Sequence, residues 1–312
     1  MAGRLPARER RGREVLALRR GGLLRDLDRG AGQGARQGGR SRRPRDPVVP
    51  GSVVTETGHV LEEWELTPDG ASYAGHAQPV RTREGRPAVL KVGEPDTIEH
   101  LALTRWDGDG AVRLLRADPH RGALLLERAT GPDLSEAWDI EACERIGELY
   151  ARLHRPIGAP FPRLSTWASA LVETLATVPR GGPVPHRLVE QAVSVARTFA
   201  TDEATDGVLV HGDLHYGHVV ESERGLLAIA PVPFSGTPLF EVAPLLWTRF
   251  DELAGDVRNG LRRRFHAAID AAGFDEEQAR DWVVVRAVER ASRAVDPEDL
   301  TRCIAVVKAV QD

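Results

Sequence analysis

With 312 residues and 41% of them apolar, the chain is long enough for one two-lobed domain or two small ones. It has no apolar run of about 18 residues, so no membrane span is expected, and its first residues lack the apolar stretch of a secretory signal. The formal charge is −4, but residues 1–46 hold 14 Arg, no Lys and five acids, a net of +9, which leaves −13 on the rest.

The basic segment, residues 1–48, reads as a disordered Arg/Gly-rich tail, because it has too little apolar surface to order itself. No aromatic is interleaved with its arginines to stack on bases, so a nucleic-acid partner is not expected. The acidic remainder favours a small cationic partner through its field. Gly58 to Leu66 reads as a short helix ending before Pro68. Ala88 to Val92 is an apolar run broken by Lys91, the pattern of a strand. A helix then starts at Pro95-Asp96 and runs to about Trp106, followed by strands at Val112–Leu115 and Ala123–Glu127. Gly131-Pro132 breaks the chain. Beyond it the pattern turns helical, over 134–154, 165–177, 184–200, 239–253, 256–272, 276–293 and 297–311. Short strands interrupt at 207–210, 218–221 and 225–229. Strands first and helices afterwards predict an α+β layout, divided as 49–129 and 130–312. Cys143 and Cys303 fit no metal or redox spacing, and a reducing cytoplasm is the plain expectation.

The chemistry concentrates in Leu209-Val-His-Gly-Asp-Leu-His-Tyr-Gly-His218. A carboxylate in a loop after a strand, here Asp213, suits a base that accepts a hydroxyl proton in phosphoryl transfer. On the tripeptide His211-Gly212-Asp213 alone, a turn carboxylate is the favoured reading, and its context reverses that. Lys91 inside an apolar strand needs a partner, and Glu99 in the next helix is within reach of one. An edge lysine reaching water, and a helix-capping role for Glu99 in Asp96-Thr-Ile-Glu99, are the structural alternatives. His211, Asp213, His215 and His218 also have the spacing of a zinc site, which would make the chain a metal-dependent hydrolase. Asp69-Gly-Ala-Ser-Tyr-Ala-Gly75 carries glycines near the first strands, but its spacing is poor for cradling phosphate.

Taken in order, several segments resemble the bacterial aminoglycoside/hydroxyurea resistance kinases of the streptomycin kinase type, over roughly residues 60–312. They are Pro87 to Val92, Trp106 to Leu115, Gly122 to Arg128, Leu209 to His215, Gly225 to Ile229, Pro238 to Trp247 and Arg302 to Val306. The resemblance implies a bilobal protein-kinase-like fold, with a small nucleotide-binding lobe at 49–129 and a helical lobe at 130–312 carrying the acceptor site. It implies ATP and magnesium as cofactors and a hydroxyl on a cationic antibiotic as acceptor. It makes Lys91 the phosphate-binding lysine, Glu99 its partner, Asp213 the base, and Glu127, Arg128 and Ala129 the hinge against the adenine. The chain departs from the family at the metal. His218 stands where the family has an Asn ligand, and Ala230 where it has an Asp ligand; Glu241 replaces a usual Asp below the loop. Magnesium prefers hard oxygen donors, so turnover is expected to be impaired, and a binding protein without turnover is the alternative. Glu221, the next carboxylate after His218, is the candidate for an alternative metal ligand.

Overall fold

The computed structural model describes residues 50–73 and 77–311. The tail expected over 1–48, and Gly75 of the glycine-bearing stretch, lie outside the described residues. Helix α1 (Pro50–Glu63) leads into a five-stranded antiparallel sheet of order β1-β2-β3-β5-β4. Its strands are β1 (Thr67–Pro68), β2 (Ala77–Arg81), β3 (Pro87–Val92), β4 (Leu114–Asp118) and β5 (Ala123–Glu127), with helix α2 (Glu99–Trp106) between β3 and β4. In β3, Ala88, Leu90 and Val92 are buried while Val89 and Lys91 turn to the other face, the period-2 consequence of extended backbone. Lys91 therefore sits in the central strand, with Ala77 on one side and Leu124 on the other, and is not an edge lysine.

The helical half holds α3 (Asp139–Leu153), α4 (Leu164–Ala176), α5 (His186–Thr201), α6 (Ala243–Trp247), α7 (Val257–Ala272), α8 (Glu276–Arg293) and α9 (Pro297–Gln311). Two small sheets are set among them. One has the order β10-β7-β6, from β6 (Arg155–Pro156), β7 (Val208–Val210) and β10 (Phe234–Gly236). The other is the hairpin of β8 (Val219–Ser222) and β9 (Gly225–Ala228). No helix among the described residues is long and apolar enough to cross a membrane.

Several boundaries move, each for a tertiary reason. The expected helix at 239–253 breaks into a turn at Pro238–Glu241, the short α6, and a turn at Phe250–Leu253. Arg264, fully buried on α7, donates to the carbonyls of Thr248 (3.1 Å) and Arg249 (3.2 Å) and pairs with Asp139 at 2.9 Å. Those carbonyls are thereby diverted from a continuing helix, and Arg249 takes a positive φ of 51°. Helix α2 begins at Glu99 rather than Asp96, because Asp96 itself has φ +60°. Strand β2 escapes sequence reading because Pro79 removes a ladder donor; β1 pairs only Val80 and Arg81, so β2 behaves as an edge at Pro79.

Sheet and helices share one core. Leu103, Trp106, Leu124 and Leu126 pack with Ile146, Tyr150, Leu209, Leu214 and Tyr216. The link is also polar: Val112 N–H donates to Ala228 O (3.1 Å), Ala228 N–H to Gly110 O (2.8 Å), and the fully buried Trp106 donates Nε1–H to Leu153 O (2.8 Å). A second core, under the other face of the sheet, gathers Val60, Trp64, Leu90, Val92 and Leu125.

Candidate active site

Lys91 and Glu99 meet. Nζ lies 2.5 Å from Glu99 Oε2, with the glutamate side chain 9% exposed and the lysine side chain 24%. The register of β3 aims Lys91 toward α2, and Glu99 is the first residue of that helix. The capping alternative does not hold, since the cap position falls at Ile98 with no side-chain cap bond. Glu99 Oε1 is buried and has no hydrogen-bond partner, a costly state for a carboxylate oxygen.

The 209–218 segment is built by alternation. Leu214 and Tyr216 are buried in the shared core, whereas Asp213 and His215 point the other way and are partly exposed. Gly212 has φ +82°, and a Cβ there would overlap the Val232 carbonyl oxygen, so the loop needs glycine at that position. Beneath the loop, the fully buried Glu241 carboxylate accepts the backbone N–H of His211 and of Gly212 (3.2 Å), with His154 Nε2 at 3.8 Å. Burial opposes ionisation of Glu241, but these donors and His211 hold its carboxyl below the usual range. Arg286 on α8 donates to Gly212 O (3.0 Å) and Phe240 O (2.8 Å) and lies 3.9 Å over the Phe240 ring. Glu241, which the resemblance sets at a usual family Asp, lies directly under the loop. Arg286 and His154 carried no sequence signal, because each acts on this loop through distant chain.

The four-residue zinc set does not assemble. His211 is fully buried; its Nε2 donates to Ile229 O (2.9 Å) and its Nδ1 accepts from Asp213 N–H (3.3 Å). Burial pushes its imidazole down to about 4, so it is a neutral brace. The cluster that remains is Asp213, His215 and His218, with ligating atoms within 4.8 Å of one another. His218 Nδ1 donates to Asp213 O at 2.7 Å and lies 3.8 Å from Asp213 Oδ2. Ala230 joins this loop through its neighbour, since Ile229 N–H donates to His218 O (2.9 Å), and it takes φ +56°. Magnesium does not fit the donor set. The two positions where the resemblance leads one to expect ligands hold an imidazole tied to a carbonyl and a methyl group, and Glu221 is held by Arg145 at 2.7 Å.

The remaining expected residues follow β5. The Glu127 side chain accepts Arg113 N–H (2.7 Å) and pairs with Arg224 from the β8–β9 turn. Arg128 pairs with Asp69 (2.8 Å) at the start of the glycine-bearing stretch, and Ala129 continues the crossing to the helical half. Both side chains are thus occupied, which leaves backbone as what this crossing can offer to a ligand. Burial raises the Cys143 thiol to about 11 and the Cys303 thiol to about 12, so neither is a thiolate near neutral pH.

A family model described as aminoglycoside/hydroxyurea antibiotic resistance kinase matches residues 63–297. The chain belongs to this family. It is 36% identical over 265 residues to the streptomycin 6-kinase of Streptomyces glaucescens, covering 78% of this chain and 85% of that protein. It is 33% identical to the hydroxyurea phosphotransferase of Kitasatospora aureofaciens over 268 residues, 81% of this chain and 75% of the relative. In fold, this kinase is similar to an aminoglycoside phosphotransferase solved with ADP and hygromycin B, with a TM-score of 0.55 at 16% identity over 81% of this chain and 97% of that one. It is also similar to the choline kinase LicA of Streptococcus pneumoniae, with a TM-score of 0.52 at 14% identity over 83% and 98%. The sheet-then-helices layout is therefore the protein-kinase-like fold.

Proposed function

We propose that this protein binds ATP between the β3–β5 sheet and the 209–218 loop and transfers the terminal phosphoryl group to a hydroxyl of an aminoglycoside-type antibiotic, at a much reduced rate. Lys91, held by Glu99, neutralises the phosphates, and the backbone at Glu127 to Ala129 borders the adenine. Asp213 accepts the proton of the attacking hydroxyl. The −13 charge of residues 47–312 draws a cationic acceptor. The division into a nucleotide-binding part at 49–129 and an acceptor-binding part at 130–312 belongs to the same reading. The Lys91–Glu99 pair at 2.5 Å is the observation that carries it, because a half-buried lysine and an almost buried carboxylate have no equally good structural use.

The rate follows from the donors. Metal stabilisation of a transferring phosphoryl group amounts to several kcal/mol. A loss of about 4 kcal/mol slows transfer roughly a thousandfold, at about 1.4 kcal/mol per tenfold. The same donor loss favours one second reading, a nucleotide-binding protein without turnover.

Transfer from γ-labelled ATP to streptomycin tests both. The unaltered chain should label the antibiotic slowly, and Ala230→Asp combined with His218→Asn should raise the rate by about a thousandfold. Asp213→Asn in that background should remove it. An unaltered chain as fast as the double variant would sink the donor argument. A double variant that binds ATP without transferring would leave the binding-protein reading standing.

A further inference from the structure

The loop that fails to suit magnesium has the donors of a different ion. We propose that Asp213, His215 and His218 bind one divalent transition-metal ion of the zinc, cobalt or nickel type. This inference does not rest on phosphoryl transfer, since it concerns binding alone.

Local geometry brings the three together. His215 is extended, with φ −150° and ψ 176°, so it shares a face with Asp213 two residues earlier. Tyr216–His218 then forms a 3₁₀ turn, in which side chains three apart eclipse. His218 is thereby laid on His215, with ring centroids 3.9 Å apart. The three ligating atoms fall within 4.8 Å of one another, close enough for one ion to span them after small side-chain movements. All three residues are only partly buried, which leaves an entry path.

The chemistry of the donors selects the ion. Two imidazoles and one carboxylate suit zinc, cobalt or nickel, while magnesium wants oxygen in octahedral array. His218 is already oriented as ligating histidines usually are: Nδ1–H donates to Asp213 O at 2.7 Å, which leaves the lone pair on Nε2. His215 Nδ1 accepts a long bond from Gly217 N–H, 3.2 Å, and coordination through Nε2 would require that bond to be given up. His211 stays outside, fixed by Ile229 O and Asp213 N–H, and braces the loop from behind. Three protein donors leave at least one position open to water or an anion.

The test uses the whole chain with any affinity tag removed and metal stripped by chelator. Cobalt(II) chloride is titrated while visible absorption is followed, and zinc chloride binding is measured by calorimetry in buffer with excess magnesium. One ion per chain is expected, unaffected by magnesium. His215→Gln and His218→Asn should each weaken cobalt binding by at least about a hundredfold, the upper end of what even a ligand's outer partner costs. Circular dichroism confirms that the variants are folded. In the unaltered chain, the histidine ring resonances that zinc shifts should be those of His215 and His218, a readout that needs no variant. Absence of stoichiometric binding, or binding that survives both substitutions, would overturn the proposal, as would zinc shifting other histidines instead. None of these outcomes depends on whether the protein phosphorylates anything.

Discussion

At the scale of the residue, Glu241 shows how a buried charge shapes the site without touching a substrate. Its carboxylate is fully buried and accepts two backbone N–H groups of the loop that carries Asp213. Charge-assisted bonds of this kind contribute about 2 kcal/mol. Glu241→Gln keeps the shape and an acceptor but removes the charge, so it should lower stability by about that amount at neutral pH. The pH dependence has a definite sign. The folded carboxyl titrates below its ordinary value of 4.5, so its contribution is complete above that value and is lost as the pH falls through the folded one. Urea melts of both forms should differ at pH 7 and converge only once the pH has fallen through that lowered folded value. A gap that persists or widens in acid would show that the carboxylate is not the source. In sequence, Glu241 was legible only through the family resemblance. Its partners lie 29 and 30 residues away, and no local pattern records them.

At the scale of the element, the turn from β7 into the 3₁₀ segment depends on one glycine. Gly212 combines a φ of +82° with contact against the Val232 carbonyl, so an alanine there meets both backbone strain and overlap. Gly212→Ala should destabilise the fold by about 3 kcal/mol, or roughly 9 °C in the melting temperature at this chain length. A melting temperature within a degree or two of the unaltered chain would mean that β10 and its approach can shift to make room. Element existence was largely readable: the apolar runs of 88–92 and 123–127 and the long helical patterns beyond 139 correspond to real elements. Boundaries were not. The break within 239–253 is imposed by Arg264 from α7, and β2 is imposed by its neighbour β3 despite Pro79.

At the scale of the whole molecule, two kinds of contact join sheet and helices, and magnitudes rank them. Trp106 is fully buried and adds a hydrogen bond to Leu153 O, and such residues cost about 4 kcal/mol on truncation. The ion pairs of Arg224 with Glu127 and of Arg152 with Asp109 are partly exposed, and solvent screening holds each near 0.5 kcal/mol. Trp106→Ala should therefore lower the melting temperature by roughly 12 °C, and Arg224→Ala by no more than about 2 °C, with the latter shift shrinking in high salt. Comparable losses from the two would show that the arginine contacts, rather than the apolar insertion, hold the halves together.

The sequence by itself determined the α+β order and the kinase family, and it singled out Lys91, Glu99, Asp213, His218 and Ala230 as the candidate site residues. It could do so because strand and helix periods, and the spacing of motif residues, are local properties. Tertiary structure alone decided three things. It turned the choice between a capping glutamate and an ion pair into a pair at 2.5 Å, since only the β3 register aims Lys91 at α2. It removed His211 from the histidine cluster by burying it against Ile229 O, and left Asp213, His215 and His218 together. It also assigned Glu127 and Arg128 to partners on other elements, Arg224 and Asp69. Each of these depends on where a side chain finds its partner in space, and burial decides that only after the chain has folded.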